Sequence, residues 1–334
     1  MIKLNYPKFW NQKTPISFLL LPFSLVYKIF GIIRKVCIKE QKLCAPVICV
    51  GNATVGGTGK TPIIKALAAD FASGQKKKVL IITKGYGGNY ANPSIVEPNF
   101  TTCFAGDEAI ELVESLYKLG DITVIVSRNP VFATKLIDQI KPDIIFVDDG
   151  MQNPSFYKDF VILMIDGMRG FANEMLLPAG PLRQDVSQAA AACDIAISTN
   201  PSSSIDIKLK NLIKHKYIAI DQNFNEMNLG GQNVYLVCAI GNPERFFTSF
   251  IQKIECNIVG RLTFPDHHNY IEKDVEVISQ NAKSLGASKI IITEKDYVKL
   301  KHFEFDLEIE VAKITYSKDA IKQIVSIINE KISL

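Results

Sequence analysis

The stretch from Val47 to Thr61 limits what this chain can fold into more than any other. Four apolar residues, Val47-Ile48-Cys49-Val50, run into Gly51-Asn52-Ala53-Thr54-Val55-Gly56-Gly57-Thr58-Gly59-Lys60-Thr61, and an apolar helical pattern follows from Pro62. A strand, a glycine-rich turn closing in Gly-Lys-Thr and a helix make the phosphate-loop arrangement. Glycines let backbone N–H groups converge on phosphate oxygens, and the helix N-terminus adds partial positive charge. In that pattern Thr54, Val55, Gly56, Gly57, Thr58 and Gly59 cradle a nucleotide, Lys60 reaches its β- and γ-phosphates, and Thr61 ligates Mg²⁺. Position 54 holds Thr where the standard pattern has Gly, and Gly56 and Gly57 supply the flexibility instead. An ordinary strand–helix turn is the plain alternative, and the flanking elements argue against it.

A carboxylate partner is expected at the end of a neighbouring strand, and Ile144-Ile145-Phe146-Val147-Asp148-Asp149 provides one. Open α/β sheets bind ligands at the carboxyl edge of their strands, so such a pair lies beside the phosphates. Adjacent Asp residues point different ways: one can ligate Mg²⁺ and the other place a second group. Further apolar runs at Val79–Ile82, Thr123–Val126, Val161–Ile165 and Ile195–Ser198 alternate with helical patterns at Pro62–Phe71, Asp107–Lys118 and Val131–Ile140. Continuous apolar strands between helices imply a mostly parallel sheet covered on both faces. After a loop at Asn200–Ser204, a second series follows: strand Val234–Ile240, helices Glu244–Gln252 and Glu272–Leu285, strand Lys289–Thr293 and helix Lys318–Ile328. The expected class is α/β, a phosphate-loop core (43–220) with a smaller C-terminal α/β domain (221–334) and an N-terminal membrane-associating segment (1–42).

That segment carries eight basic residues and one acid, Glu40, or +7, whereas the other 292 residues hold 30 basic and 33 acidic side chains. A near-neutral body argues against a nucleic-acid partner. Pro15–Ile33 is apolar but interrupted by Pro22 and Lys28, and Val26, Ile29, Phe30 and Ile33 fall at helical spacing on one face. With Trp10, Tyr27 and flanking lysines as interfacial anchors, this reads as a helix lying on an anionic leaflet; a helix packed into the fold is the alternative. No run of eighteen apolar residues exists, and the mean hydropathy is only +0.12. Seven scattered cysteines form no C-x-x-C pair, most sit in apolar surroundings, and a reducing cytoplasm fits.

The phosphate loop does not name the reaction. Asp107 opens a helical pattern and reads either as an N-cap or as a general base near the γ-phosphate. Asp266-His267-His268 holds two of four histidines, and an Asp–His pair tuning a base suits it better than a metal site.

GNATVGGTGKTP, KGYGG (84–88), GDE (106–108), VDDGMQ (147–152), LPAGPLR (177–183), GNPERFF (241–247), FPDHHNY (264–270) and TEKD (293–296) occur in that order. Together they resemble the tetraacyldisaccharide 4′-kinase family of the lipid A pathway in Gram-negative bacteria. The resemblance implies a monotopic enzyme at the cytoplasmic face of the inner membrane. Such an enzyme moves the ATP γ-phosphate to the 4′-hydroxyl of tetraacyldisaccharide 1-phosphate, giving lipid IVA, with no obligate protein partner. Carried over, Lys60 and Thr61 hold phosphates and Mg²⁺, Asp148 and Asp149 organise Mg²⁺, Asp107 is the base and His267 its support. Arg128 and Arg183 match phosphate-contacting positions. Lys84 stands where the family has Arg, Asn153 where it has His, and Gln184 where an acid is usual, which touches secondary contacts. Two rivals fare worse. Partitioning or metallochaperone ATPases carry a signature Lys at the position of Val55. A non-catalytic lipid binder has no need of intact Lys60, Thr61, Asp148 and Asp149.

Overall fold

The computed structural model describes residues 7–213 and 217–332. Residues 1–6 of the N-terminal segment, Lys3 among them, lie outside the described residues.

Eight strands form the large sheet: β1 (Val47–Gly51), β2 (Val79–Thr83), β3 (Ser94–Ile95), β4 (Ile122–Val126), β5 (Ile144–Asp148), β6 (Phe160–Asp166), β7 (Ile195–Thr199) and β8 (Tyr217–Ile220). Their order is β3-β4-β2-β5-β1-β6-β7-β8, parallel throughout except for β3 against β4. β1, β2, β5, β6 and β7 are buried along their whole length, as near-continuous apolar runs require. Helices Lys60–Ala69, Asp107–Leu116 and Lys318–Ile332 cover one face. Helices Thr134–Ile140, Val186–Ala192 and Ser203–Leu212 pack on the other. The loop expected at 200–204 is therefore short: its Pro-Ser-Ser-Ser run holds the start of the Ser203–Leu212 helix.

A two-residue strand β9 (Asn223–Phe224) leads to a second sheet of β10 (Asn233–Cys238), β11 (Asn257–Thr263), β12 (Lys289–Thr293) and β13 (Glu308–Ala312). Its order is β11-β10-β12-β13, all parallel, and β14 (Ile314–Thr315) returns antiparallel to β9. The sequence pattern shows the central pair, β10 and β12, and misses the edges. β11 contains Gly260 and Arg261, and β13 alternates charge with apolar residues, because each has one open edge and half-exposed faces.

The N-terminal segment departs from a one-faced amphipathic helix. Pro15–Leu19 and Leu21–Cys37 are two helices, with Pro22 in the first turn of the second, where a missing N–H costs little. Their apolar residues face outward: Leu19, Phe23, Phe30 and Val36 are 75%, 63%, 68% and 80% exposed, and Val26, Ile29 and Ile33 are exposed as well. The face turned to the protein is polar and small, with Ser17 and Ser24 buried. A helix packed by its apolar face is thereby excluded. Trp10 is buried, its indole N–H donating to the Pro178 carbonyl at 3.0 Å, so it docks the segment instead of anchoring it in headgroups. Among the described residues no helix is long and apolar enough to cross a membrane. Three cysteines differ from the expectation: Cys37, Cys44 and Cys103 are exposed.

Lys65, five residues beyond Lys60 on the same helix, ties three helices together. Its ammonium, buried, donates to Glu111 at 2.9 Å and to Glu294 at 2.7 Å. Burial disfavours the charge, but the two carboxylates outweigh it and raise the Lys65 pKa. Glu294 opens the helix Glu294–Leu300 that follows β12, so this contact joins the two sheets. Lys65→Met leaves the buried Glu111 and the half-buried Glu294 without a counter-charge. The expected loss is about 3–5 kcal/mol, read as a lower denaturation midpoint; an unchanged midpoint would show that the triad adds nothing net.

Candidate active site

β1 lies between β5 and β6, and Val50 is in register with Asp148. The glycine-rich loop and both Asp residues therefore emerge side by side at the carboxyl edge of the sheet. Gly59 adopts φ +83°, and a Cβ there would lie 2.9 Å from the Gln222 amide nitrogen, so the turn into the helix needs glycine on both counts.

Asp149, in the left-handed region at φ +56°, collects three cations. Arg183 donates to its Oδ1 at 2.7 Å, Lys84 to Oδ2 at 2.9 Å, and the Lys60 ammonium lies 3.6 Å from Oδ1. Burial pushes the Asp149 pKa up, but the charges of Lys60, Arg183 and Lys84 prevail and hold it at about 2. Lys84 departs from the family pattern in the sequence, yet the structure places it in this cluster, where an ammonium makes one contact in place of a guanidinium fork.

Asp148 is the opposite case. It is buried, its Oδ1 has no hydrogen-bond partner, and burial followed by the charge of Glu108 pushes its pKa to about 8. A carboxyl raised in the folded state binds its proton more tightly there than when unfolded. Its contribution to stability therefore falls as pH rises from about 4 towards 8. Asp148→Asn should remove that dependence and stabilise the nucleotide-free protein at pH 8 by about 1 kcal/mol or more. Thermal melts at pH 6 and pH 8 check this. Equal pH dependence in the two proteins would rule out a protonated Asp148.

A second cluster forms around Asp107. Gly106, at φ +82°, occupies the cap position of the helix Asp107–Leu116, and no side chain caps it. The N-cap reading of Asp107 therefore fails. Gly106, Gly85 and Gly88 let the KGYGG turn and the 104–106 backbone touch: a Cβ on Gly106 would meet the Tyr86 carbonyl at 2.4 Å, and one on Gly88 the Phe104 carbonyl at 2.5 Å. That contact brings the turn bearing Lys84 against the residue before Asp107.

The Asp107 carboxylate, buried, is met by His267 Nδ1 at 3.0 Å and Lys299 Nζ at 2.5 Å, both on Oδ2. Burial favours its protonation, but the hydrogen bonds from His267 and Lys299, with the charges of Lys299 and Lys295, hold its pKa below the ordinary carboxylate value. Lys295 lies 3.2 Å from His267 Nε2 and 2.8 Å from Asp266 Oδ1. An ammonium can only donate, so His267 Nε2 accepts and Nδ1–H donates to Asp107. His268 is turned away, bonded to Asp274 at 2.8 Å and stacked on Phe264.

The structure thus gathers Lys60, Asp149 and Arg183 in one cluster and Asp107 and His267 in another. Glu108, next to Asp107, faces Asp148 electrostatically. Arg128 is exposed beyond β4, where its charge acts on Tyr90, and among the described residues it has no hydrogen bond or ion pair to either cluster. Thr54–Thr58 line a shallow cleft with Asp166, Arg169, Gly170 and Ala172, and the buried Thr58 hydroxyl has no partner. Sequence reasoning missed three cations. Lys295 and Lys299 share one helix face at i, i+4, a spacing that by itself does not set them apart from a solvated face. Arg245, within GNPERFF, donates to Thr199 Oγ1 at 2.5 Å and Gln222 Oε1 at 2.6 Å and reaches the Gly57 carbonyl at 3.5 Å.

The family model described as tetraacyldisaccharide-1-P 4′-kinase matches residues 16–333. The tetraacyldisaccharide 4′-kinase of Rickettsia canadensis is 42% identical over 301 residues, covering 90% of this chain and 89% of that protein. That of Rickettsia bellii is 41% identical over 308 residues, covering 90% and 91%. The crystal structure of LpxK from Aquifex aeolicus in complex with ATP superposes with a TM-score of 0.66 at 22% identity, over 94% of this chain and 99% of that one, a likeness of fold. The family match over nearly the whole length, with relatives above 40% identity, establishes that the chain belongs to the tetraacyldisaccharide-1-P 4′-kinase family.

Proposed function

We propose that the Asp107 cluster is the base and the Asp149 cluster the phosphate-holding end of one phosphoryl-transfer site. The reaction is the family's: a kinase of lipid A biosynthesis that passes the ATP γ-phosphate to the 4′-hydroxyl of tetraacyldisaccharide 1-phosphate, yielding lipid IVA and ADP. The observation that carries the assignment is Asp107 itself, a buried carboxylate kept ionised by His267 and Lys299 at the loop-bearing edge of the fold. A sugar hydroxyl is a poor nucleophile. As its oxygen bonds to the γ-phosphorus and the bond to the β,γ-bridging oxygen breaks, its proton passes to Asp107. His267 donates to the carboxylate and holds its direction.

Phosphoryl transfer depends on position and charge more than on covalent help. Lys60, Lys84 and Arg183 supply positive charge around Asp149, which keeps these like charges together. Asp148, with its orphaned buried oxygen, and Thr61 are the residues that would hold Mg²⁺; Asp149, already satisfied by three cations, organises the surroundings. Among the described residues no three His, Cys, Asp or Glu side chains cluster as a metal cage, which suits an ion that keeps waters and shares phosphate ligands. When bound, the ion would neutralise phosphate charge. Arg128, exposed beyond β4, is suited to the acceptor's own phosphate.

The glycolipid acceptor stays in its bilayer. The outward apolar faces of Pro15–Leu19 and Leu21–Cys37, flanked by Lys13, Lys28, Arg34, Lys35, Lys39 and Lys42, suit insertion into an anionic cytoplasmic leaflet. The chain divides near residue 220 in this reading, between β8 and β9, with helix Lys318–Ile332 returning to the large sheet.

Incubation with labelled ATP and tetraacyldisaccharide 1-phosphate in micelles tests the reaction: the lipid acquires label, and an acceptor already phosphorylated at the 4′ position does not. ATP hydrolysis without labelled lipid would contradict the assignment. Removal of residues 1–38 should abolish co-sedimentation with anionic vesicles, and equal pelleting would refute the membrane role.

A further inference from the structure

We propose that the helix Leu21–Cys37 also positions the phosphate loop, acting through the strap of residues 173–183, with Ser24 and Tyr27 as positioning residues. The inference rests on the reading of residues 51–61 as the ATP loop.

The strap is gripped from both sides. On the N-terminal side, Ser24 Oγ donates to the Leu176 carbonyl at 2.9 Å and accepts from the Ala179 amide at 3.2 Å. Asn173 Nδ2 lies 3.4 Å from Ser17 Oγ, Trp10 holds the Pro178 carbonyl, and Tyr27 Oη donates to the Arg183 carbonyl at 3.2 Å. Lys28 adds an ion pair to Asp185 at 2.8 Å just beyond the strap. On the other side, the Val55 amide donates to the Pro181 carbonyl at 2.8 Å and the Arg183 amide to the Ala53 carbonyl at 2.7 Å, with Thr54 and Leu182 bridged between them. Arg183 then places its guanidinium on Asp149. One residue thus touches the N-terminal helix with its carbonyl, the phosphate loop with its amide and the carboxylate cluster with its side chain.

The strap can transmit a displacement because it is closed on itself. The Leu177 amide donates to the Leu182 carbonyl at 2.9 Å, the Leu182 amide to the Met175 carbonyl at 3.0 Å, and the Gly180 amide to the Leu176 carbonyl at 3.0 Å. Ala179 and Leu182 are fully buried. Ser17 in the first helix and Ser24 in the second are the buried residues of two helices whose exposed side chains are largely apolar. Lipid anchorage has no use for these serines; holding the strap does. The first half of the phosphate loop, 53–55, therefore takes its position from the N-terminal helix as well as from β1.

Ser24→Leu tests this, because it keeps the helix apolar while removing both bonds to the strap. ATP affinity is measured by calorimetry in lipid-free buffer, the KM for ATP and kcat in micelles, and membrane binding by vesicle co-sedimentation. The expected result is ATP affinity weakened about fivefold or more, KM for ATP raised more than kcat falls, and vesicle binding retained. Ser24→Thr, which restores the hydroxyl, should recover ATP affinity. Should Ser24→Leu not fold, Ser24→Ala and Tyr27→Phe carry the same readouts. Unchanged ATP affinity in the folded variants, beside a wild type that binds ATP, overturns the inference alone. A wild type that binds no ATP overturns the kinase reading and this inference with it.

Discussion

Asp107→Ala should lower kcat for lipid phosphorylation by about 10²–10⁴-fold, the range that general-base contributions span, and leave ATP affinity unchanged. The argument is geometric. The Asp107 carboxylate has its hydrogen bond and ion pair with His267 and Lys299, from elements that follow β11 and β12, and none with Thr54–Thr61. Loss of a helix cap would cost only about 1 kcal/mol of stability and would spare turnover, and Gly106, not Asp107, holds the cap position. The pH profile gives a second check. The Asp107 pKa is depressed, so the base is ionised throughout the neutral range and the acid limb of kcat/KM lies below the ordinary Asp value. Lys299→Met removes a positive charge that favours the carboxylate, so the acid limb must move to higher pH. Near-wild-type kcat in Asp107→Ala, or an acid limb that moves down in Lys299→Met, would remove Asp107 from the base role.

Lys60→Ala should lower kcat/KM for ATP by about 10²–10³-fold and weaken ATP binding as well. Its ammonium lies at the start of the loop helix, 3.6 Å from Asp149, and little of the side chain is exposed. The remaining Lys84 and Arg183 are directed to the two oxygens of Asp149 and cannot take its place at the helix N-terminus. Lys60→Arg should not recover the rate, because a planar guanidinium is not an equivalent point charge on this tight turn. Labelled-phosphate transfer in micelles and calorimetry of ATP binding, run side by side, distinguish the two losses. Transfer at an undiminished rate would place the phosphate-holding charge elsewhere, with Lys84 or Arg183 as the first candidates.

These residues show how unevenly the site was legible. Lys60, Thr61, Asp148 and Asp149 follow from local pattern, because strand, turn and helix are consecutive in the chain and a parallel strand must release its last residue at the same edge. The pairing of Asp107 with His267 spans 160 residues, and no spacing rule reaches that far. Only the family resemblance joined them beforehand. Lys295 and Lys299 went unread because lysines at i, i+4 on a short helix look like any solvated face until a buried carboxylate meets them. Lys84 was legible as a departure from a pattern, and its contact with Asp149 was not. The same holds for the N-terminus. Its apolar excess and basic flanks are visible in the residues, but periodicity suggested one apolar face, and the structure shows nearly all-round exposure with serines turned inward.

The amino-acid sequence by itself determined the α/β class, the buried parallel strands, the phosphate loop and the strand-end Asp pair. Each rests on short-range regularities: hydrophobic period, glycine in a turn, a carboxylate closing an apolar run. Tertiary structure alone decided which charges meet. It set three cations on Asp149 and left one oxygen of the buried Asp148 without a hydrogen-bond partner, so two neighbouring carboxyls hold pKa values of about 2 and about 8. It also joined the N-terminal helix to the phosphate loop through residues 173–183. The physical reason is that the energy of a charge or a buried hydroxyl depends on what lies within a few ångströms of it, and in this fold those neighbours come from distant parts of the chain.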